Sequence, residues 1–266
     1  KSINNNNYAA IIVEDRVTPL LRFCVLNTLL MSDLRIGINI YTTSSSLEKM
    51  KEMLSDLGKW VTVKSIGDKS ITCLTRDSYN SLFKTSEFWK DIPSKKCLVI
   101  QTDGLLIEPI NYSIFKFDYV GAPFSNGKRL SREFYIFKSQ KINDIEPYWI
   151  TQGFNNELTG TGIYFGNGGI SIRNTDLMEK ICNSESTTLA ETEDIFFSKF
   201  LRKYKASLPD METLRRFSCE ANYSTSIAAH SSHMYLCSEE QSLIYERHFK
   251  YSISMIEKTN KFQEDN

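Results

Sequence analysis

The feature that most constrains the fold is a series of short, almost uninterrupted apolar segments separated by helix-sized amphipathic stretches. Residues 8–13 (YAAIIV) are apolar throughout, and Leu20, Leu21, Val25 and Leu29 then recur at helical spacing. The pair repeats: residues 36–41 read as strand, 47–57 as helix after a serine-rich start, and 60–66 as strand again. Residues 76–90 then read as helix and 96–102 as the next strand. Strands without a polar face must be covered on both sides. The pattern therefore predicts an α/β fold: a mostly parallel, Rossmann-type sheet flanked by helices and joined by right-handed crossovers. Ligands of such sheets bind beyond the carboxyl ends of the strands, which directs attention to positions 14–16, 41–44 and above all Asp103.

After residue 118 the pattern changes. Glycine, proline, asparagine and aromatics are dense over 119–134 and 148–169, which predicts a mixed, loop-rich C-terminal half. Residues 238–258 read as a helix that closes the domain or reaches a partner.

Composition narrows the function classes. With 266 residues and 41% hydrophobic content, a large buried core is available. Thirty-two basic residues balance thirty-two acidic ones, so no global field draws the chain to nucleic acid or an anionic membrane, and any phosphate site must be local. The longest apolar runs, such as 9–13 and 97–100, fall far short of the roughly 20 residues of a bilayer span. Residues 1–7 lack the apolar region of a secretory signal, and the expectation is a cytoplasmic protein without a membrane span. Six cysteines with no CxxC pair read as reduced core thiols. Two sequons, at Asn111 and Asn222, are matches that an asparagine-rich chain produces by chance.

Four motifs carry chemistry. In CLVIQTDG, residues 97–104, Asp103 follows a buried strand and is itself followed by glycine, where a metal–diphosphate site would be built. An aspartate that caps a turn is the ordinary alternative. In FGNGGISIR, residues 165–173, Gly166, Gly168 and Gly169 surround Asn167 and imply close backbone approach by an anion or a sugar ring, or else a structural β-bulge or hairpin. The GNGG spacing is not the GxGxxG of dinucleotide folds. ETED, residues 191–194, opens a helix, where acidic residues serve as caps; a carboxylate held rigidly there, Asp194, can also act as a general base. Finally, AAHSSH, residues 228–233, places His230 and His233 on a small-residue loop as candidate metal ligands. His248, in the charged last helix, reads as solvent-facing. Tyr148, Trp149 and Phe154 suit either sugar stacking or core.

Taken in order, the blocks YNSLFKTSEFW (79–89), VIQTD (99–103), DYVGAPF (118–124), GNGGISIR (166–173), ETEDIFFS (191–198) and 217–230 resemble a glycosyltransferase-like family of largely uncharacterised domains with the nucleotide-sugar-binding GT-A fold. The resemblance implies one domain over 1–266, with a nucleotide-binding half (8–103), an acceptor and catalytic half (104–237) and a C-terminal helix (238–266). It further implies a donor site at Glu14, Arg16, Gln101, Thr102 and Asp103, with Mn²⁺ or Mg²⁺ held by Asp103 and a late histidine, His230 or in its place His233. Gly166, Asn167, Gly168 and Gly169 would line the acceptor and sugar pocket. Asp194, with Glu193 beside it, would supply the base for transfer from a nucleotide sugar, a UDP-sugar foremost, to a glycan or glycoconjugate acceptor with inversion. Gln101 stands where the family pattern has a first carboxylate. Two other readings compete: a nucleotidyltransferase, for which residues 14–19 offer no glycine-rich triphosphate cradle, and an inactive sugar-nucleotide-binding scaffold, favoured by Gln101.

Overall fold

A computed structural model describes residues 8–67, 71–123, 165–187, 191–220, 223 and 225–264. The four apolar segments of the first half form four parallel strands, β1 (Tyr8–Val13), β2 (Gly37–Thr42), β3 (Val61–Ser65) and β4 (Lys96–Ile100). β1 pairs with β2 on one side and β4 on the other, and β2 pairs with β3. Ile11, Ile12, Ile40 and Leu98 are wholly buried, because helices cover both faces of the sheet; this is why their segments carry no polar alternation.

α1 (Pro19–Met31) starts where the Thr18 hydroxyl accepts the Leu21 N–H and Pro19 occupies the first turn. Of its expected apolar stripe, Leu21, Val25 and Leu29 are buried, but Leu20 faces outward, since a helix packed on one side buries only one stripe. α2 (Leu47–Met53) follows β2. The single helix expected over 76–90 is two: α3 (Arg76–Phe83) and α4 (Ser86–Asp91). Between them the Thr85 hydroxyl donates to the Leu82 carbonyl at 2.7 Å, a local bond that competes with continued helix. The break turns Phe88 and Trp89 into the core, where the indole N–H donates to the Phe83 carbonyl at 2.7 Å.

The second half adds mixed structure; of the stretches expected to be loop-rich, 119–123 and 165–169 are strand, and 124–134 and 148–164 lie outside the described residues. β5 (Gly104–Leu106) is followed by β6 (Tyr119–Pro123) and β7 (Phe165–Asn174). β7 runs antiparallel to both β4 and β6, giving a sheet of order β3-β2-β1-β4-β7-β6. α5 (Thr175–Ser184), α6 (Glu193–Phe200) and α7 (Met211–Phe217) pack around it. β8 (Ser218–Cys219) and β9 (Ala228–His230) join β5 in a small sheet of order β5-β9-β8, with Gly104 opposite His230.

Three local expectations are corrected. Residues 228–233 are not a loop: they form β9 and then α8 (Ser232–Tyr235), because the small, fully covered Ala228 and Ala229 let β9 pack tightly in its sheet. His248 does not face solvent. It lies on α9 (Ser238–Glu264), half-buried against α1, with Nε2 3.0 Å from Asn27 Nδ2. Asn27 is itself locked to both backbone groups of Leu106, so its remaining N–H is aimed at the imidazole. The cysteines are all free, but only Cys24, Cys97 and Cys219 are buried, while Cys73 and Cys237 are exposed.

Asn111 caps a 3₁₀ turn by accepting the Ser113 N–H. Asn222, Tyr148, Trp149 and Phe154 lie outside the described residues. Among the described residues no helix is long and apolar enough to cross a membrane.

Candidate active site

The site is built where β1 and β4 end, at the edge where a parallel sheet places ligands. Glu14, just past β1, is buried and accepts hydrogen bonds from the Asp15 and Arg16 N–H groups, from the Arg16 guanidinium at 2.8 and 2.6 Å, and from the Thr102 hydroxyl at 3.1 Å. Burial opposes its charge, yet the bonds from Arg16 hold its carboxyl below the ordinary value. Thus Glu14 ties the end of β1 to the turn after β4. Arg16, paired to it, keeps 72% of its side chain exposed and able to meet an anion.

Asp103 sits on that turn. Because Gly104 is paired with His230 across β5 and β9, the strand register sets Asp103 beside Ser231 and the imidazole. The Ser231 hydroxyl donates to Asp103 Oδ2 at 2.6 Å, and His230 Nε2 lies 3.3 Å from Oδ1. Ser231 adopts left-handed backbone, φ 49°, the kind of uncommon conformation found where a chain must re-aim side chains at a site. His230 Nε2 is also 3.1 Å from Gln101 Oε1, and Nδ1 is 3.2 Å from Glu220 Oε1. Burial works against a charged imidazole, but Asp103 and Glu220 outweigh it and raise its pKa to about 9. The same contacts, against the effect of burial, hold the Asp103 carboxyl well below its ordinary range. His233 is exposed on α8, so it is His230 that the fold brings to Asp103.

The glycine motif forms a bulge. Gly121 lies opposite Ser171 but Ala122 opposite Asn167, so residues 168–170 leave the ladder with β6 while Ile170 remains paired with Ile100 of β4. Two close approaches require its glycines. A Cβ on Gly169 would collide with the His230 imidazole, and one on Gly168 with the Glu193 carboxylate and the Arg173 guanidinium. Asn167 closes the bulge by accepting the Gly169 N–H at 3.0 Å. Gly166, before the bulge, has its carbonyl bonded by the Tyr119 hydroxyl at 2.8 Å.

Glu193 and Asp194, neighbours at the start of α6, diverge completely. Glu193 points inward and takes two bonds from Arg173, at 2.5 and 2.9 Å. Arg173 is fully buried, bonds Ser171 Oγ through Nε, and lies 5.2 to 5.7 Å from the centres of the Phe83, Trp89, Tyr119 and Phe197 rings. Burial pushes the Glu193 carboxyl up against the pull of Arg173, and burial of Arg173 is outweighed by that carboxylate, which keeps the guanidinium above its ordinary value. Asp194 instead faces the bulge: Oδ1 accepts from the Thr192 hydroxyl at 2.6 Å and the Ile195 N–H at 2.8 Å, and Oδ2 takes one longer bond, 3.3 Å, from the Gly168 N–H. A carboxyl oxygen with a single long bond retains capacity to accept from a hydroxyl.

The site residues read from the sequence therefore meet in one continuous network, from Glu14 through Thr102, Gln101, His230 and Asp103 to Gly169, Gly168 and Asp194. Sequence reading missed Arg173, whose charge at the end of an alternating strand resembles an outward-facing residue, and Asn80 and Lys84, which brace α6 through the Glu193 N–H and the Glu191 carbonyl. Glu220 and Ser231 were missed as well. The only signal for Arg173 and Asn80 is that both fall inside the ordered motif blocks.

A metal fits this donor set in part. Two ligand atoms about 2.1 Å from one octahedral ion, at a right angle, are about 3 Å apart, close to the 3.3 Å between Asp103 Oδ1 and His230 Nε2. Among the described residues no group of three or more His, Cys, Asp or Glu side chains forms a ligand cluster, so water and phosphate oxygens would have to complete an octahedron.

The sheet is mostly parallel, with antiparallel β7 between β4 and β6 and Asp103 beyond its fourth strand, an α/β architecture consistent with a GT-A-like fold. The crystal structure of mouse xyloside xylosyltransferase 1, apo form, is similar at a TM-score of 0.50, covering 84% of this chain and 97% of that one at 9% identity; at that identity the likeness is one of fold. The chain belongs to the family described as protein of unknown function (DUF5672), whose model matches residues 61–237. That range includes every site residue named above except Glu14 and Arg16. A search of curated proteins by sequence gives no match.

Proposed function

We propose that the chain is a metal-assisted glycosyltransferase that moves a sugar from a nucleoside-diphosphate sugar, with UDP-sugars favoured, to a hydroxyl of a glycan or glycoconjugate. The observation that carries the reading is the convergence of Asp103, His230, the glycine bulge and Asp194 at the ligand-binding edge of a GT-A-like sheet.

In this reading the donor diphosphate lies over the ends of β1 and β4, where the exposed face of Arg16 meets its charge and the anchored Glu14 holds the guanidinium in place. Asp103 and His230 hold Mn²⁺ or Mg²⁺, which when bound offsets the charge of the diphosphate. Gly166 to Gly169 leave room for the sugar ring against the main chain. Asp194 Oδ2 takes the proton from the acceptor hydroxyl as that oxygen attacks the anomeric carbon and the bond from that carbon to the diphosphate oxygen breaks, releasing the nucleoside diphosphate, a single displacement that inverts configuration. Glu193, buried on Arg173, orients the start of α6 and takes no proton.

Thermal-shift titration with UDP- and GDP-sugars plus Mn²⁺ tests the donor, since a ligand bound only by the native state raises Tm. Asp103→Ala is expected to abolish metal-dependent stabilisation. Asp194→Ala should keep it and lose transfer. Proton NMR of the product anomer decides the stereochemistry, and retention removes Asp194 from the role of simple base.

One specific observation favours a second reading, a sugar-nucleotide-binding domain without turnover: Gln101 occupies the first carboxylate position and instead hydrogen-bonds His230. Stabilisation by a donor with neither transfer nor hydrolysis would select it.

A further inference from the structure

The imidazole of His230 is held on every side. Its face rests on Gly169, where a side chain would intrude. Its Nε2 edge meets Asp103, Gln101 and Ser231, at 3.3, 3.1 and 3.3 Å. Its Nδ1 edge meets Glu220 Oε1 at 3.2 Å. Glu220 follows directly on β8, and β8 lies parallel to β9, the strand that carries His230. The contact is thus made by the same small sheet that brings His230 to Asp103. Both residues are largely buried, with 10% and 12% of their side chains exposed.

A carboxylate, unlike a serine or an amide, can only accept. A ring nitrogen facing one therefore carries the proton; Nε2 faces acceptors too, Asp103 Oδ1 and Gln101 Oε1, but it is the edge that a metal beside Asp103 would take, and a lone pair given from Nε2 to a metal leaves the proton on Nδ1. We infer that Glu220 is a positioning residue: by accepting the Nδ1–H it fixes the His230 ring plane and keeps the proton on Nδ1 when Nε2 gives its lone pair to a metal shared with Asp103. Such outer carboxylates commonly orient ligating histidines and strengthen their basicity. The inference deepens the metal reading proposed above and names a residue, not among the site residues read from the sequence, on which it depends.

Two measurements on the purified chain test it. Proton–nitrogen-15 NMR of the metal-free protein should show the His230 Nδ1–H as a hydrogen-bonded, downfield proton, and Glu220→Ala should lose that signal. Titration with Mn²⁺ alone, followed by electron paramagnetic resonance, should show Glu220→Ala weakened by roughly 10- to 100-fold, with circular dichroism unchanged. Glu220→Gln, which keeps an oxygen acceptor, should recover part of the loss. Unaltered Mn²⁺ affinity together with an unaltered Nδ1–H signal in Glu220→Ala overturns the inference. If the parent chain binds no Mn²⁺, the metal reading of Asp103 and His230 fails, and the Nδ1–H signal decides Glu220 alone: its absence from the parent, or its persistence in Glu220→Ala, overturns it. Should Glu220→Ala fail to fold, Glu220→Gln is read in the same two assays against the parent, and no change in either overturns the inference.

Discussion

Two ion pairs flank the same glycine bulge, and they differ in every property that matters for function. Arg173–Glu193 touches Gly168, is bidentate, and has 0% and 4% of its side chains exposed. Asp103–His230 touches Gly169, is a single contact of 3.3 Å, and leaves 34% of the Asp103 side chain exposed. The first pair is closed by four aromatic rings and has no capacity left for a ligand. The second has an open carboxylate edge. A buried charge pair fixes a geometry at considerable desolvation cost; a half-open one keeps its field available to something that binds. The bulge between them packs Gly168 against the first pair and Gly169 against the second.

The largest effect that would break this contrast is removal of one partner from the closed pair. Glu193→Ala leaves Arg173 charged among aromatic rings and should cost about 3–5 kcal/mol of stability, whereas Asp194→Asn, one residue on, should change stability by less than about 1 kcal/mol; urea denaturation measures both. Equal losses would mean that Glu193 is not the structural member of the pair.

Next come the two glycines. Gly168→Ala forces a methyl into Glu193 and Arg173, and about 1–3 kcal/mol of destabilisation is expected. Gly169→Ala forces one into His230, which lies nearer solvent, so part of the strain should relax by displacing the imidazole. Mn²⁺ titration of the two variants sharpens the comparison: Gly169→Ala should weaken binding more than Gly168→Ala although it unfolds less easily.

The smallest effect concerns a third, partly exposed carboxylate. Asp118, at the start of β6, accepts from Lys96 and Asn174 side chains and the Ser207 N–H, at 2.7 to 2.8 Å. Burial opposes its charge, but these bonds hold its pKa below the ordinary value. A depressed folded-state pKa adds stability that is fully present above the unfolded value, near 4, and is lost as pH falls through the folded value. Asp118→Asn should therefore cost about 1 kcal/mol at pH 6, with the difference from the parent shrinking below pH 4. A difference that stays constant from pH 6 to 3 would place the effect in packing and not in charge.

How much of this was legible depended on how local each cause is. The parallel strands were readable because burial on both faces leaves a mark in four to six consecutive residues. The turn after β4 and the acidic start of α6 were readable for the same reason, and so Asp103 and Asp194 could be named. The break between α3 and α4 escaped because it rests on one hydroxyl–carbonyl bond of Thr85 inside an otherwise periodic run. β9 escaped because Ala228 and Ala229 are too small to show alternation, and His248 because the residue that holds it, Asn27, lies 221 positions away.

The sequence by itself determined the class of sheet, the edge at which a ligand belongs, and the residues that could act there. Only the tertiary structure decided which of two adjacent carboxylates is buried, which histidine reaches Asp103, and that Arg173 turns inward. The physical reason is register: Asp103 meets Ser231 across 128 positions and the Glu193 N–H meets Asn80 across 113. Contacts of that span are set by how strands pair and helices dock, which no local periodicity records.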